Sequence, residues 1–159
     1  MQTSALQHPI LSELTPGECA AMLGRNHVGR LAFTSGAEID IEPVHYVRDR
    51  DWLFMRSAAG SKLTALAHAP FAAFEVDEIY GAFDWRSVVA HGTIYRMRAR
   101  GSPVDRAAFD RALRALKSFV PETLTEDDPT PLRRTVYGLH VDRVSGRAAS
   151  YEQHKAPGR

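Results

Sequence analysis

The sequence predicts a mainly β protein: an antiparallel barrel of six or so strands, with a few short helices covering its ends. Three observations carry this. Short runs of apolar and β-branched residues alternate with polar ones between Val28 and Val144. The links between the first runs are brief and polar, Ser35-Gly36 and then Arg48 to Asp51, as in a meander. Helical signatures are few and short, so the chain lacks the regular strand–helix alternation of a doubly wound sheet.

Taken in order, Thr15, Pro16 and Glu18 form a helix start, with Thr15 as N-cap, proline at the first helical position and glutamate closing a capping box; the helix should stop near Gly24. Residues 28–34 form the first strand. Residues 38–47 form the second, where Ile39 and Ile41 alternate with Asp40 and Glu42, and residues 52–56 the third. Residues 61–68 read as a short helix with Leu63 and Leu66 inward, and residues 71–76 as a buried strand. Residues 87–100 alternate for a long way, with Tyr95, Met97 and Ala99 on one face and Arg96, Arg98 and Arg100 on the other. Ser102-Pro103-Val104-Asp105 opens another capped helix, whose apolar stripe is Phe109, Leu113, Leu116 and Val120. Residues 121–134 are a polar loop around Asp127-Asp128-Pro129, residues 136–144 a last strand, and residues 151–159 a loose tail.

Composition bounds the function. The chain of 159 residues is the size of one domain, spanning 1–159, and its 44% hydrophobic content suffices for a core. Twenty basic residues against 19 acidic ones leave a formal charge of +1, so no strong field draws it to nucleic acid or an anionic membrane. The single cysteine, Cys19, excludes an intramolecular disulfide and a multi-cysteine metal site. No apolar run reaches the ~20 residues that span a bilayer. Residues 1–13 lack a basic segment followed by an apolar one, so a cytoplasmic protein is expected.

Three segments could carry chemistry. In the first, residues 54–63, a strand ends at Arg56 and Ser57, a small-residue turn follows, and a helix begins at Ser61-Lys62. Free N–H groups at a helix start, two hydroxyls and two cationic side chains suit a phosphate monoester. The plainer reading is a strand-to-helix turn with solvated basic residues, and no Walker-type Gly-Lys-Ser/Thr is present. In the second, Glu42-Pro43-Val44-His45-Tyr46, proline within a strand marks an edge or a bulge. Such a place either blunts the edge or leaves backbone free for a planar heterocycle. The third, Trp85-Arg86-Ser87, sets a hydroxyl near an aromatic at a strand start and serves packing or a site. The seven histidines show no metal-ligand spacing, so no metal is expected, and no serine-nucleophile elbow exists. Cys19 early in its helix reads as a packing residue or as a thiol activated by the helix N-terminus.

In this order, Pro43-Val44-x-Tyr46, Arg56-Ser57-x-x-Gly60-Ser61-Lys62-Leu63, Phe74-Glu75-Val76-Asp77 and Trp85-x-Ser87-Val88-Val89-x-x-Gly92 resemble the FMN-binding split-barrel superfamily. The nearest branch is the pyridoxamine 5′-phosphate oxidase-related proteins that include nitroimidazole-resistance reductases. Gly29-Arg30-Leu31-Ala32-Phe33 and residues 141–147 resemble the same branch, and the likeness covers roughly residues 10–150. It implies a six-stranded antiparallel split barrel that forms a homodimer, with FMN in a cleft between subunits. Arg56, Ser57, Ser61 and Lys62 would then face the phosphate and ribityl chain. Pro43, Val44 and His45 would lie along the isoalloxazine through their backbone, with Trp85 and Ser87 beside it. Ser87 stands where the oxidases carry a glutamine, and Ser61 where they place an arginine on the phosphate. The end of the chain, residues 150–155, lacks their arginine-bearing signature, so oxidation of pyridoxamine phosphate is not implied.

The function this implies is an FMN-dependent oxidoreductase that moves electrons from a nicotinamide donor to a small organic acceptor, with His45 as candidate proton donor or substrate anchor. The alternatives are a non-catalytic flavin or haem binder and a reductase using the deazaflavin F420.

Overall fold

The computed structural model describes residues 8–151, so the tail from residue 152 onward lies outside the description. The element order is β1 (Ile10–Glu13), α1 (Pro16–Arg25), β2 (Val28–Ser35), β3 (Glu38–Asp49), β4 (Trp52–Ser57), α2 (Ser61–His68), β5 (Phe71–Gly81), β6 (Asp84–Arg96), α3 (Pro103–Phe119) and β7 (Thr135–Ser150).

One antiparallel sheet runs β1-β7-β4-β3-β2-β5-β6, and β6 pairs back onto β7. Six strands therefore close a ring, and β1 is a seventh, added to the end of β7 with Leu11 opposite Ala149. Six strands were expected. The extra one escapes a pattern reading because its four residues are all exposed. β7 closes the ring because its 16 residues serve three neighbours: β4 at its start, β1 at its end, and β6 along its length.

Two apolar clusters form on opposite sides of the barrel wall. Inward positions of the strands, such as Leu31, Tyr46, Met55, Phe74, Val88 and Leu139, fill the interior. Helices α1 and α2 add Cys19, Met22, Leu23 and Leu66 to it. Helix α3 instead lies outside, where Ala112 and Leu116 pack on Val47, Phe54 and Val136. Capping boxes start α1 and α3 as the sequence predicts: Glu18 N donates to Thr15 Oγ1 at 3.2 Å, and Asp105 N to Ser102 Oγ at 3.2 Å. Gly146 on β7 lets α1 settle, since a Cβ there would sit 2.6 Å from Cys19 Sγ.

Other differences from the sequence reading have local causes. β6 ends at Arg96, so Arg98 and Arg100 belong to a loop and do not form the expected strand face with Arg96. Tyr95 and Met97 do not share a face: Tyr95 is exposed, while Met97 turns into the α3 cluster and its N–H bonds Val136 O at 2.9 Å. The buried centre of α3 is Ala112 and Leu116, with Leu113 only half-buried. No helix among the described residues is long and apolar enough to cross a membrane.

Candidate functional site

β3 and β4 share only four residue pairs, from Asp49↔Trp52 to Tyr46↔Met55. Beyond that rung the strands part. β3 stays with β2 down to Glu38, while β4 follows β7 to Ser57. Pro43 sits just past the last rung and has no N–H to extend the ladder. β4 then turns through Ala58-Ala59-Gly60 into α2, whose first turn lies at the mouth of this gap. Lys62 Nζ spans it to Glu42 Oε2 at 2.7 Å.

Two features of the gap lack a partner. Gly60 is the N-cap of α2 and supplies no side-chain hydrogen bond, so the first-turn N–H groups are uncapped. Tyr137 stands on the last shared rung, opposite Met55, and its fully buried hydroxyl has no hydrogen-bond partner. Burial and the Glu42 carboxylate push the Tyr137 pKa up, so the phenol stays protonated and can donate. An unmet buried hydroxyl costs about 1–3 kcal/mol, which a ligand oxygen would recover. Uncapped N–H groups, a phenol O–H, Ser61 and Lys62 form a donor set suited to a phosphate.

Arg56, expected to face the phosphate, has its guanidinium turned to the loop after α3. Nη1 donates to Asp128 Oδ2 at 2.6 Å and to Arg133 O at 3.1 Å, and Nη2 to Asp128 Oδ1 at 3.1 Å and Thr130 Oγ1 at 2.8 Å. Both partners are buried, with side chains 9% and 2% exposed. The hydrogen bonds from Arg56 hold the Asp128 carboxyl far below its ordinary range. Ser57 is buried and donates to Ala58 O at 2.9 Å, whereas Ser61 is exposed.

The remaining expected residues spread over the outer wall. Val44 points into the core, while Pro43 and His45 are exposed on the outside. Glu42 and His45 therefore face opposite ways, as strand alternation requires. Ser87 and Trp85 share the outer side of β6, and Ser87 Oγ donates to Glu75 Oε1 at 2.8 Å. Arg30 pairs with the same Glu75 at 3.0 Å and with Asp77 at 3.3 Å. β7 alone separates β6 from β4, but Trp85 and Ser87 lie opposite Ala149 and Arg147 at the far end of β7 from Thr135, the partner of Ser57, so one chain does not bring Trp85 and Ser87 to the start of α2.

A cavity of about 330 Å³ lies on the outside of β3 and β4, under the end of α3, with walls that include His45, Val47, Arg56, Leu116, Phe119 and Thr130. His27 stacks on Phe119 at 3.9 Å and fixes that wall. Phe119 and Asp128 were not singled out in the sequence as site residues. Asp127-Asp128-Pro129 marks a loop centre, but nothing local tells which acid is buried. Cys19 is buried, and burial raises its thiol pKa, so the activated-thiol reading fails. Among the described residues no three His, Cys, Asp or Glu gather as a metal set.

The sequence model described as pyridoxamine 5′-phosphate oxidase matches residues 15–148. The chain belongs to the pyridoxamine 5′-phosphate oxidase family. Solved structures of this oxidase-like fold match it over nearly its full length. An FAD-binding protein of Mesorhizobium loti is 25% identical, with a TM-score of 0.70 over 89% of this chain and 99% of that one. A candidate 5-nitroimidazole antibiotic resistance protein of Bacteroides thetaiotaomicron is 14% identical, with a TM-score of 0.65 over 90% of each chain. An FAD and haem binding protein of Mycobacterium smegmatis is 19% identical, with a TM-score of 0.63 over 88% of this chain and 73% of that one. No curated protein matches the sequence. The fold expected from the sequence is thus shown as an oxidase-family split barrel, with seven strands in place of six.

Proposed function

We propose that the protein is a flavin-dependent oxidoreductase that binds FMN where β3 and β4 part, and that it passes electrons from a nicotinamide donor to a small organic acceptor. The observation that carries the reading is the gap itself, where Lys62 at an uncapped helix start pairs with Glu42, the carboxylate whose charge also reaches the unpartnered Tyr137 hydroxyl. The cofactor phosphate takes the first-turn N–H groups of α2, Ser61 and Lys62. Ser57 shapes the turn. The Pro43–His45 backbone runs beside the ring, and Arg56 acts one step back by bracing the loop over the adjoining cavity. Bound flavin supplies the hydride chemistry. The chain's own work is to anchor an anion, keep water from the ring's edge, and offer His45 as proton donor or substrate anchor.

A second copy of the chain completes the site. The outer face of β3, β2 and β5 carries Ile39, Ile41 and Phe71 at 77%, 65% and 73% exposure. Registers place Ile41, Ala32 and Ala73 in one row of that face. Such a contiguous apolar patch fits an isologous interface, and it adjoins Pro43. Pairing through it brings the partner's outer wall, with its own Trp85 and Ser87, toward this chain's gap.

The test is the visible spectrum of the purified protein. Flavin bands that bleach on adding NADH or NADPH are expected. Flavin bands that never bleach refute the reductase, and a colourless protein that takes up no added FMN refutes the cofactor. The FAD-binding neighbour favours FAD as the second reading, and chromatography of the flavin released by heat decides between the two.

A further inference from the structure

The arginines that the sequence places on one strand face stand instead around a hollow that the flavin reading leaves unused. It measures about 510 Å³ and lies between the loop after β6, the first half of α3 and the start of β7. Met97, Phe109 and Val136, all part of the α3 cluster, form its apolar side. Arg96, Arg98, Arg100 and Arg134 line the rest. Arg96 ends β6 opposite Tyr137, whose side chain fills the barrel, so it meets the hollow at an edge. Arg98, Arg100 and Arg134 lie outside the ladders and are exposed. No residue of α2 or β3 lines this hollow, which sets it apart from the gap where β3 and β4 part.

Charge in the hollow is uncompensated. Not one of its residues is acidic. Among the described residues none of the four guanidinia has an ion-pair or side-chain hydrogen-bond partner. The acid whose field reaches Arg98 is Asp105, and it is engaged in starting α3: its Oδ2 accepts from Ser102 N at 2.9 Å and from Ser102 Oγ at 2.7 Å. The chain as a whole balances 20 basic residues with 19 acidic ones, so this is a local excess and not a general one. Clustered like charges repel one another and draw in anions. Each guanidinium offers a planar fork of N–H donors that takes two oxygens of one anion. Several forks around one hollow suit an anion with several charged oxygens close together.

We propose that this hollow is a binding site for a compact multivalent oxyanion, held by Arg98, Arg100 and Arg134 together. Two sources share this chemistry, a short phosphate chain and a small tricarboxylate. The site goes beyond the flavin reading and does not depend on it. Arg134 follows Arg133, which lines the cavity at His45 and gives its carbonyl to Arg56 at 3.1 Å. An anion on Arg134 thus sits one residue from that cavity's wall, which is the place of an effector and not of a substrate.

The test is calorimetric titration of the full chain, before and after flavin is offered, with tripolyphosphate and, separately, citrate. At least one should bind, and flavin should leave the affinity as it was. Binding that flavin abolishes belongs to the start of α2 and overturns the proposal. Arg98→Gln with Arg134→Gln should weaken binding tenfold or more. Arg50→Gln with Arg114→Gln removes the same charge from another part of the surface and should stay within twofold of the parent. Melting curves should show both double variants folded, since none of the four side chains has a hydrogen bond or ion pair to lose among the described residues. Raising salt from 50 to 500 mM should weaken the parent's binding. Preference for tripolyphosphate identifies a phosphate chain as the ligand, and preference for citrate a tricarboxylate. Millimolar concentrations of both without heat, or the two double variants weakened alike, overturn the proposal.

Discussion

Removing the Asp128 carboxylate should be the most damaging single change near the site. Asp128 accepts from both terminal nitrogens of Arg56, from Leu124 N at 2.7 Å and from Thr130 N at 2.8 Å. Asp128→Ala leaves a guanidinium that is 9% exposed with no counter-charge, a loss of about 3–5 kcal/mol. For a chain of this size that is a fall in Tm of about 6–20 °C. Arg56→Met combined with Asp128→Asn removes both charges, while the asparagine oxygen can still accept from the loop. This double variant should be more stable than Asp128→Ala alone, because no buried charge is stranded. Urea unfolding of the parent, Arg56→Met, Asp128→Asn and the double variant closes the cycle. The pH dependence has a fixed sign. The folded pKa of Asp128 lies below its ordinary 3.8, so the pair's stabilisation is complete above that value and is lost as pH falls through the folded pKa. Asp128→Asn should flatten that acid limb. Costs that simply add, or a single-variant cost under about 1 kcal/mol, would refute the view that Arg56 is a brace.

The other predictions bear on the site and its partner copy. Lys62→Ala should weaken flavin binding by about 1.5–3 kcal/mol in a fluorescence titration, and unchanged affinity puts the phosphate elsewhere. Tyr137→Phe should leave the flavin-free protein as stable or more stable, because it deletes an unmet buried hydroxyl, yet lower flavin affinity; calorimetry and titration read the two effects separately. Size-exclusion chromatography should give a mass near twice 17.6 kDa, and Ile41→Lys should halve it and release flavin. A parent protein that elutes as a monomer removes the shared cleft.

Local chemistry made much of this legible. Thr15 with Glu18 and Ser102 with Asp105 announce their helices, because a capping box is a contact between residues three apart. Helix α2 runs over the residues expected, and the Arg56–Lys62 segment carries its hydroxyls and cations within seven positions. What stayed hidden depends on distant chain. Arg56 reads as a phosphate ligand until the loop 72 residues later delivers Asp128 to it. Alternation of Ile39 and Ile41 with acids finds the strand but not its environment: residues 38–41 are all exposed in the single chain. β7 reads as ending at Val144 because Asp142, Arg143, Val144 and Ser145 all face solvent, although pairing with β6 and β1 carries it to Ser150.

The Lys62–Glu42 pair looks at first like an argument against a phosphate beside Lys62, since the ammonium already has a carboxylate. Burial argues otherwise. Lys62 is 12% exposed and Glu42 43%, so the acid can turn to water at small cost while the ammonium stays at the mouth of the gap. A half-exposed pair of this kind contributes on the order of 1 kcal/mol or less. A phosphate that also meets uncapped helix N–H groups and a buried phenol makes several charge-assisted bonds at once. The exchange favours the ligand. Until it arrives, Glu42 keeps a half-buried ammonium from standing alone, and the fold can hold the site open without a stranded charge.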